Sequence, residues 1–273
     1  MIPGLAAALV NGLLVGSAAI TLLPLVWMLS VSLMSPGEAS AFPPPLLPSR
    51  PTLANYRELF AHAGMGRYLL NSVVLTTAVT LGSLLFNVAG GYAFAKLRFA
   101  GRDRIFKVLL SALVIPAQVA MVPLFLLLKQ LGLVNTYGGV IVPALASIFG
   151  MFVVRQYALS VPDDLLEAAR IDGASELRIF RSVIVPVLRP IIVTLAVFTS
   201  LGTWNEFMWP LIVLNDSDLY TLPVALASLS REHVQDNELM MAGSVLTTAP
   251  VLLVFLGLQR YYIRGLMLGS IKE

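Results

Sequence analysis

Cysteine is absent from the 273-residue chain, which excludes a disulfide framework, thiol catalysis and an iron–sulfur site. Histidine is scarce: His62 and His233 lie far apart in the sequence, so each is interpreted as a loop residue and not as a metal ligand. No G-x-x-x-x-G-K-[ST] motif occurs, which excludes nucleotide binding by a Walker A loop. We therefore expect that this chain has no catalytic residue and no metal site, and that it binds no cofactor itself.

Charged residues are also few. They make up 12% of the chain, against roughly 25% in an average soluble domain, while 58% of the residues are hydrophobic. Six charge-poor runs occur, at about residues 6–34, 69–95, 108–128, 138–154, 190–214 and 239–259. Each is long enough for a helix that crosses a lipid bilayer, which needs at least about 17 residues. The composition therefore predicts an all-α polytopic membrane protein with six transmembrane helices.

Lysine and arginine are distributed unevenly between the segments that join these runs. Thirteen of the eighteen follow the second, fourth or sixth run. The positive-inside rule then predicts that these segments and both termini are cytoplasmic. The net charge of +3 is attributed to such loops and not to nucleic-acid binding.

Several residues inside the predicted spans break the apolar pattern. The Gly90-Gly91 pair is interpreted as a site of close helix approach. Pro116 and Pro123 are expected to kink the third helix, so that Gln118 lines a path through the membrane or, alternatively, the prolines only shape packing. Asn205 and Glu206 lie in the fifth run, where a charge is costly. Glu206 either lines a pathway or contacts a partner at its mouth, or it is simply solvated at the membrane boundary.

Between the fourth and fifth runs lies a charged island of about two dozen residues, 163–186. Ser160 is expected to cap a first helix, and Gly173 is expected to end it in a left-handed conformation. A second helix is predicted at about residues 175–184.

Leu177, Phe180 and Ile184 are expected to share one face of that second helix. Two short helices that meet at a glycine form a knob suited to a groove on another protein. The alternative, an amphipathic hairpin resting on the bilayer, predicts a lysine-rich polar face, and the island contains no lysine.

The spacing of residues in this island resembles a known motif. Glu167-Ala168-Ala169, Gly173 after three intervening residues, and Val183-x-Val185-Pro186 are similar to E-A-A-x3-G-x9-I-x-L-P, the EAA loop of ABC importer permeases. Valine replaces isoleucine and leucine in the last part. Further stretches, at residues 92–99, 204–210 and 265–272, resemble the carbohydrate branch of that family, in particular the smaller permease subunit of maltose-type importers.

The resemblance implies a type I ABC importer permease of a bacterial inner membrane, without catalytic activity of its own. Its implied partners are a second permease subunit, two ABC ATPase subunits that bind the ATP, and a periplasmic or lipid-anchored solute-binding protein. The implied substrate is a sugar, most simply a di- or oligosaccharide, with glycerol-3-phosphate or another polar solute as the alternative. An ion-coupled secondary carrier would instead need paired half-repeats and buried ionisable residues, of which only Glu206 qualifies.

The resemblance also assigns parts of the chain. Residues 1–68 are the first transmembrane helix with a proline-rich periplasmic loop, residues 69–264 are the permease core with its coupling hairpin at 162–186, and residues 265–273 are a cytoplasmic tail. Implied ATPase-coupling residues are Glu167, Ala168, Ala169, Asp172, Gly173 and Pro186. Gly269 and Lys272 are implied to contact the ATPase from the tail. Gln118, Asn205 and Glu206 are candidates for a contact with the pathway or the binding protein because of their place in the spans, not because of the resemblance.

Overall fold

A computed structural model describes the backbone of residues 3–232 and 236–268, and the side chains of residues 7–230 and 236–257. Within those ranges the chain forms helices and turns without a strand. The α-helices are α1 (Pro3–Ser32), α2 (Ala54–Ala61), α3 (Met65–Lys96), α4 (Arg102–Ala112), α5 (Ala117–Gln130), α6 (Tyr137–Ala144), α7 (Ile148–Leu159), α8 (Asp163–Ile171), α9 (Glu176–Ile179), α10 (Val185–Val187), α11 (Arg189–Asn205), α12 (Met208–Val213), α13 (Leu222–Glu232) and α14 (Asn237–Leu268). Short 3₁₀ turns lie at Glu38–Ser40 and Ser217–Leu219, and a π-helix spans Phe180–Ile184.

The number of apolar helices agrees with the prediction. Four stretches are long and apolar enough to cross a membrane, namely Ala7–Ser32, Met65–Lys96, Tyr137–Leu159 and Asn237–Gly257. Two further pairs of helices meet the same test together but are bent, by 105° between α4 and α5 and by 76° between Glu176–Val187 and α11. Counting each bent pair as one span gives six, so the all-α polytopic class with six spans is confirmed.

The bend in the third span lies where proline predicts it. Helix α4 ends at Ala112 and α5 begins at Ala117, directly after Pro116. Proline has no backbone N–H and clashes with the preceding turn, so a helix cannot run through it undisturbed. Pro123 lies inside α5, which continues through it. The kink is therefore a break at Pro116.

The fifth span differs from the continuous helix expected at residues 190–214. Helix α11 ends at Asn205, Glu206 has extended backbone with ψ 121°, and α12 begins at Met208. The Glu206 carboxylate accepts a hydrogen bond from the backbone N–H of Trp209 at 3.2 Å. Pro210 explains the break, because its ring would clash with the carbonyl of Glu206 four residues earlier in an unbroken helix.

The chain divides into two compact units. One contains Met1–Arg67 and Leu222–Pro250, and the other contains Tyr68–Thr221 and Val251–Glu273. The first unit is built from segments that are far apart in the sequence. The predicted functional residues between Gln118 and Glu206 all lie in the second unit.

Polar side chains fix the turns of the first unit. The buried Asn55 side chain donates to the carbonyl oxygens of Ser32 and Met34, at 3.0 and 2.9 Å. The buried Glu238 carboxylate accepts from the backbone N–H of Ala39 at 2.7 Å. These bonds tie α2 and the beginning of α14 to the chain that leaves α1.

In the second unit α3 packs closely against α7. A Cβ added to Gly91 would lie 2.5 Å from Cβ of Val154, and one added to Gly150 would lie 2.5 Å from Nδ2 of Asn87. Both distances are too short for a side chain, so glycine on each helix permits the approach. The expectation that the Gly90-Gly91 pair marks close helix packing is confirmed.

Candidate functional site

The charged island folds as a helical hairpin, the segment 162–186, called the hairpin below. Asp163 and Asp164 lie in the first turn of α8, where their charge complements the positive end of the helix dipole. Helix α8 ends at Ile171, and Gly173 just beyond its C-cap has a left-handed φ of +79°. The N–H of Ala174 donates to the carbonyl oxygen of Ala169 at 3.0 Å, which closes the cap. The predicted glycine cap is confirmed.

The expected cap at the other end of this helix is wrong. The N-cap of α8 is Pro162, without a side-chain cap. Ser160 is instead the C-cap of α7, and its hydroxyl donates to the carbonyl oxygen of Tyr157 at 2.7 Å. Because α7 continues to Leu159, beyond the predicted end of the fourth span, Ser160 belongs to the end of one helix and not to the start of the next.

The second arm of the hairpin runs from α9 through the π-helix into α10, and its buried face differs from the prediction. Ile179, Ile184 and Leu188 are fully buried, whereas Leu177 is 57% exposed. A π-helix forms i→i+5 hydrogen bonds, so residues five apart lie on one side of it. Ile179 and Ile184 have that spacing. Of the predicted face, Ile184 is buried and Phe180 packs against the core, but Leu177 does not join them.

A lysine at the end of α3 holds the start of α8. The Lys96 ammonium donates to the carbonyl oxygen of Val161 and to Oδ1 of Asp163, both at 2.6 Å. The Lys96 side chain is only 5% exposed, while that of Asp163 is 74% exposed. The hydrogen bond from Lys96 holds the pKa of Asp163 below its usual value. The positive charge of the buried Lys96 is thus balanced by the carboxylate of Asp163, the first residue of α8.

A tyrosine one turn earlier in α3 holds the second arm. The Tyr92 hydroxyl donates to Oε2 of Glu176 at 3.1 Å, and Oε1 of the same carboxylate accepts from Nε of Arg170 at 2.8 Å. The bond from Arg170 lowers the pKa of Glu176, and the same bond raises the pKa of Arg170. The Tyr92 ring also lies 5.3 Å from the ring of Phe180, centroid to centroid. Both arms of the hairpin are therefore attached to α3.

The opposite surface of the hairpin is open. Glu167, Ala168, Asp172 and Gly173 are exposed, and Ala169 is half-buried against the core. Ile171 is 86% exposed at the tip, next to the glycine turn. An exposed aliphatic side chain with acidic neighbours, held on a rigid turn, is the arrangement expected of an anchor that fills a pocket on another protein.

The second unit also contains a cavity of about 560 Å³, which lies among α3, α5, α6, α11 and α12. Helix α3 lines it with Ser72, Leu75, Thr76, Val79 and Ser83. These residues follow the spacing of one helix face.

Hydroxyl side chains recur around the cavity wall: Ser72, Thr76, Ser83, Ser147, Thr199, Thr203 and Thr221. Glu206 is the one ionisable residue among the described residues that line it. The carboxylate is placed there by the break between α11 and α12. The cavity offers hydrogen-bonding hydroxyl groups and one negative charge.

Residues 87–267 match the family model described as binding-protein-dependent transport system inner membrane component. The chain belongs to this family. It is an inner membrane permease subunit of a binding-protein-dependent ABC importer, a transport component without catalytic activity. Membership decides against the ion-coupled secondary carrier, which needs no binding protein.

Two relatives and one solved structure place the permease more closely. It is 40% identical to the arabinooligosaccharides transport system permease protein AraQ of Halalkalibacterium halodurans, over 89% of this chain and 86% of that protein. It is 32% identical to the sn-glycerol-3-phosphate transport system permease protein UgpE of Pectobacterium atrosepticum, over 93% of each. A bacterial ABC transporter involved in the import of the acidic polysaccharide alginate superposes with a TM-score of 0.84 at 24% identity, covering 96% and 98% of the two chains. That superposition confirms the fold.

The predicted coupling residues that the structure describes all lie in the hairpin. Glu167 to Gly173 lie on one arm and its turn, and Pro186 lies in α10, at the end of the other arm. Gly269 and Lys272 lie outside the described residues. The coupling role of all of these residues stays a prediction.

The three predicted pathway residues do not lie in one site. Glu206 lines the cavity, whereas Gln118 and Asn205 are exposed and are not among its lining residues. On α5 the cavity side is formed by Ala117, Met121 and Leu124, and Gln118 is about 100° further round the helix from Ala117. Sequence reasoning included residues 92–99 in the family resemblance but gave Lys96 and Tyr92 no role. A lysine after the second span and an aspartate after the fourth, both on the predicted cytoplasmic side, were the available signal for the first.

Proposed function

We propose that this permease forms half of the translocation pathway of a sugar importer and that the hairpin couples it to a separate ATPase. The observation that carries the proposal is the exposed surface around Glu167, Ala168 and Ile171, on a hairpin attached to α3 through both arms. Such a rigid knob transmits movement of a docked partner, whereas a flexible loop would absorb it. The ATP is bound by the partner, since this chain carries no Walker A motif.

The proposed assembly places the hairpin and both termini in the cytoplasm. The excess of lysine and arginine in the segments after the second and fourth runs supports that orientation. Two ATPase subunits would dock on this side, with the tail residues Gly269 and Lys272 as a second contact. A second permease subunit would complete the pathway, and a solute-binding protein would deliver the solute from the opposite side.

The cavity favours a neutral, hydroxyl-rich solute. Serine and threonine hydroxyls both donate and accept hydrogen bonds, as sugar hydroxyls do. Glu206 repels an anion, and no described lining residue offers the arginine or lysine that phosphate recognition usually employs. A di- or oligosaccharide, such as the arabinooligosaccharides named for AraQ, is therefore proposed ahead of glycerol-3-phosphate, which is named for UgpE.

Co-purification tests the coupling role. The permease is expressed with its cognate subunits, and the amount of ATPase bound to it is measured for the parent and for Ile171→Asp. Loss of a central apolar anchor costs about 1–2 kcal/mol or more, so the affinity for the ATPase is expected to fall about tenfold and the amount of bound ATPase to fall with it. Leu47→Asp is the matched control, because Leu47 is comparably exposed but lies outside the hairpin. A parent complex without any ATPase, or an Ile171→Asp complex with full occupancy, would contradict the proposal.

Uptake by cells tests the solute. Cells that express the complete importer are given radiolabelled arabinotriose, lactose and glycerol-3-phosphate separately. Accumulation of one of the neutral sugars, dependent on this chain, is expected. Accumulation of glycerol-3-phosphate alone would establish the alternative.

A further inference from the structure

Helix α3 reaches from the hairpin to the wall of the cavity. Its last two turns carry Tyr92 and Lys96, which hold the hairpin, and its first half carries Thr76 and other residues of the cavity wall. Sixteen residues separate Thr76 from Tyr92, which corresponds to about 24 Å along the helix axis at 1.5 Å per residue. The same helix thus contacts the hairpin near its C-terminal end and lines the cavity in its N-terminal half, within one compact unit.

This helix is built to keep its length and direction. Among the three helices of 30 or more residues, α1 contains Pro24 and α14 contains Pro250, whereas α3 contains no proline over 32 residues. Two other spans are bent by 105° and 76°. Glycines at the contact with α7 bring the two backbones close, so α3 packs tightly against α7 along this stretch. Without a proline break, α3 connects the hairpin and the cavity wall as one continuous helix.

The hairpin is fastened to α3 at two points that resist sliding. Lys96 is buried and bridges Val161 and Asp163 at the start of α8. Tyr92 is buried and bonds Glu176 at the start of the other arm, and the Glu176–Arg170 ion pair joins the two arms. Displacing the hairpin against α3 would break both attachments and leave the Lys96 ammonium buried without its partners, which is costly.

We propose that α3 is the lever through which the hairpin moves the cavity wall, and that Lys96 and Tyr92 are the positioning residues that fasten the hairpin to it. The inference rests on the proposed coupling of the hairpin to an ATPase. It adds the route by which that coupling reaches the solute cavity. Without both attachments, movement of the hairpin no longer reaches the part of the cavity wall that α3 forms.

A cysteine reporter tests the lever without knowledge of the solute. The chain contains no cysteine, so Thr76→Cys places a single thiol in the cavity wall. Its rate of modification by a small methanethiosulfonate reagent is measured on the assembled importer in membranes, without nucleotide and after trapping with ATP and vanadate. The parent reporter is expected to change its rate by about fivefold or more.

Variants that remove the attachments are compared in this background. Lys96→Met with Tyr92→Phe is expected to trap the same amount of nucleotide while the two labelling rates become equal. Lys96→Arg, which keeps the positive charge, is expected to restore part of the difference. Asp103→Asn is the matched control, since it removes the exposed Arg102–Asp103 pair outside the hairpin and should leave the labelling change intact.

The outcomes separate the lever from the coupling itself. Absence of nucleotide trapping in the parent would contradict the proposed function. Trapping in the parent with no change in labelling, or an unchanged response in the double variant, would overturn the lever alone. Tyr92→Phe keeps the ring and its packing, so failure of this single variant to assemble would assign the bond to folding and also overturn the lever.

Discussion

Asn87 shows how one buried side chain joins two helices in a membrane protein. It is 2% exposed, its Nδ2 donates to Oγ of Ser83 at 2.7 Å, and its Oδ1 accepts from the backbone N–H of Ser147 at 2.9 Å. Ser147 is the N-cap of α7, and its own hydroxyl accepts from the N–H of Gly150. Unpaired backbone groups are costly where water is excluded. The Asn87 side chain therefore supplies an acceptor for the Ser147 N–H at the start of α7, which has no acceptor within that helix.

Replacing Asn87 by leucine is expected to destabilise the permease. The part-buried Ser147 N–H would lose its acceptor, at a cost of about 1–3 kcal/mol, so the melting temperature in detergent should fall. Ser111→Ala is the control, because the exposed Ser111 hydroxyl bonds only a carbonyl of its own helix. Equal melting temperatures for Asn87→Leu and the parent would show that another group caps α7.

The Lys96–Asp163 attachment has a pH dependence with a definite sign. The bond lowers the pKa of Asp163 from its ordinary 3.8, so it favours the attached hairpin above that value. As the pH falls through the lowered pKa, the carboxylate takes up a proton and the contribution is lost.

Hydrogen exchange of the α8 amides measures this contribution. After correction for intrinsic rates, exchange in Asp163→Asn should exceed that of the parent at pH 7, and the two should converge well below pH 3.8. A difference that persists unchanged at those acidic values would mean that the Lys96 bond to the Val161 carbonyl alone holds the helix.

At the scale of elements, the contact between α3 and α7 combines a predictable and an unpredictable part. The Gly90-Gly91 pair predicts that some helix comes close, because small residues have that effect wherever they occur. The sequence does not specify the partner helix. The structure identifies it as α7, where Val154 faces Gly91 and Gly150 faces Asn87.

Gly91→Ala is expected to force these helices apart. The added Cβ would lie 2.5 Å from Val154 and 3.0 Å from the backbone nitrogen of Arg155, and backbone cannot move aside as a side-chain end does. Overpacking of this kind costs about 1–3 kcal/mol, which thermal unfolding in detergent would detect. Gly16→Ala in α1 meets no atom within 4 Å and serves as the control. A destabilisation shared by both variants would point to a backbone effect in place of a packing clash.

The π-helix in the hairpin is the clearest failure of pattern reading at this scale. A regular period of 3.6 residues predicted that Leu177 shares one face with Phe180 and Ile184, but Leu177 is exposed. The fully buried residues around the π turn are Ile179, Ile184 and Leu188. The local sequence contains no marker for this change. It is favoured because the wider turn lets Ile179 and Ile184 both enter the core cluster that includes Val154 and Ala158.

At the scale of the whole molecule, charge in the sequence predicts orientation. The hairpin is expected on the cytoplasmic side and the proline-rich segment near Leu47 on the opposite side. This is a consequence of where lysine and arginine occur.

Single-cysteine labelling checks the orientation, again because the chain has no cysteine of its own. In intact spheroplasts an impermeant maleimide should modify Leu47→Cys and leave Leu177→Cys unmodified until the membrane is permeabilised. Both side chains are exposed, so access is set by the membrane and not by burial. Labelling of Leu177→Cys in intact spheroplasts would reverse the predicted topology.

The membrane class, the six apolar runs, the charged hairpin and its glycine turn follow from the amino-acid sequence, because these depend on local composition, spacing and backbone freedom. Which residues come together across the chain is set only by the folded structure. Lys96 meets Asp163, Tyr92 meets Glu176, and Glu206 lines the cavity at the break that Pro210 makes in its helix. Such contacts join residues up to 84 positions apart, and no local pattern encodes them. The charged hairpin could thus be predicted from the sequence, and its attachment to α3 could not.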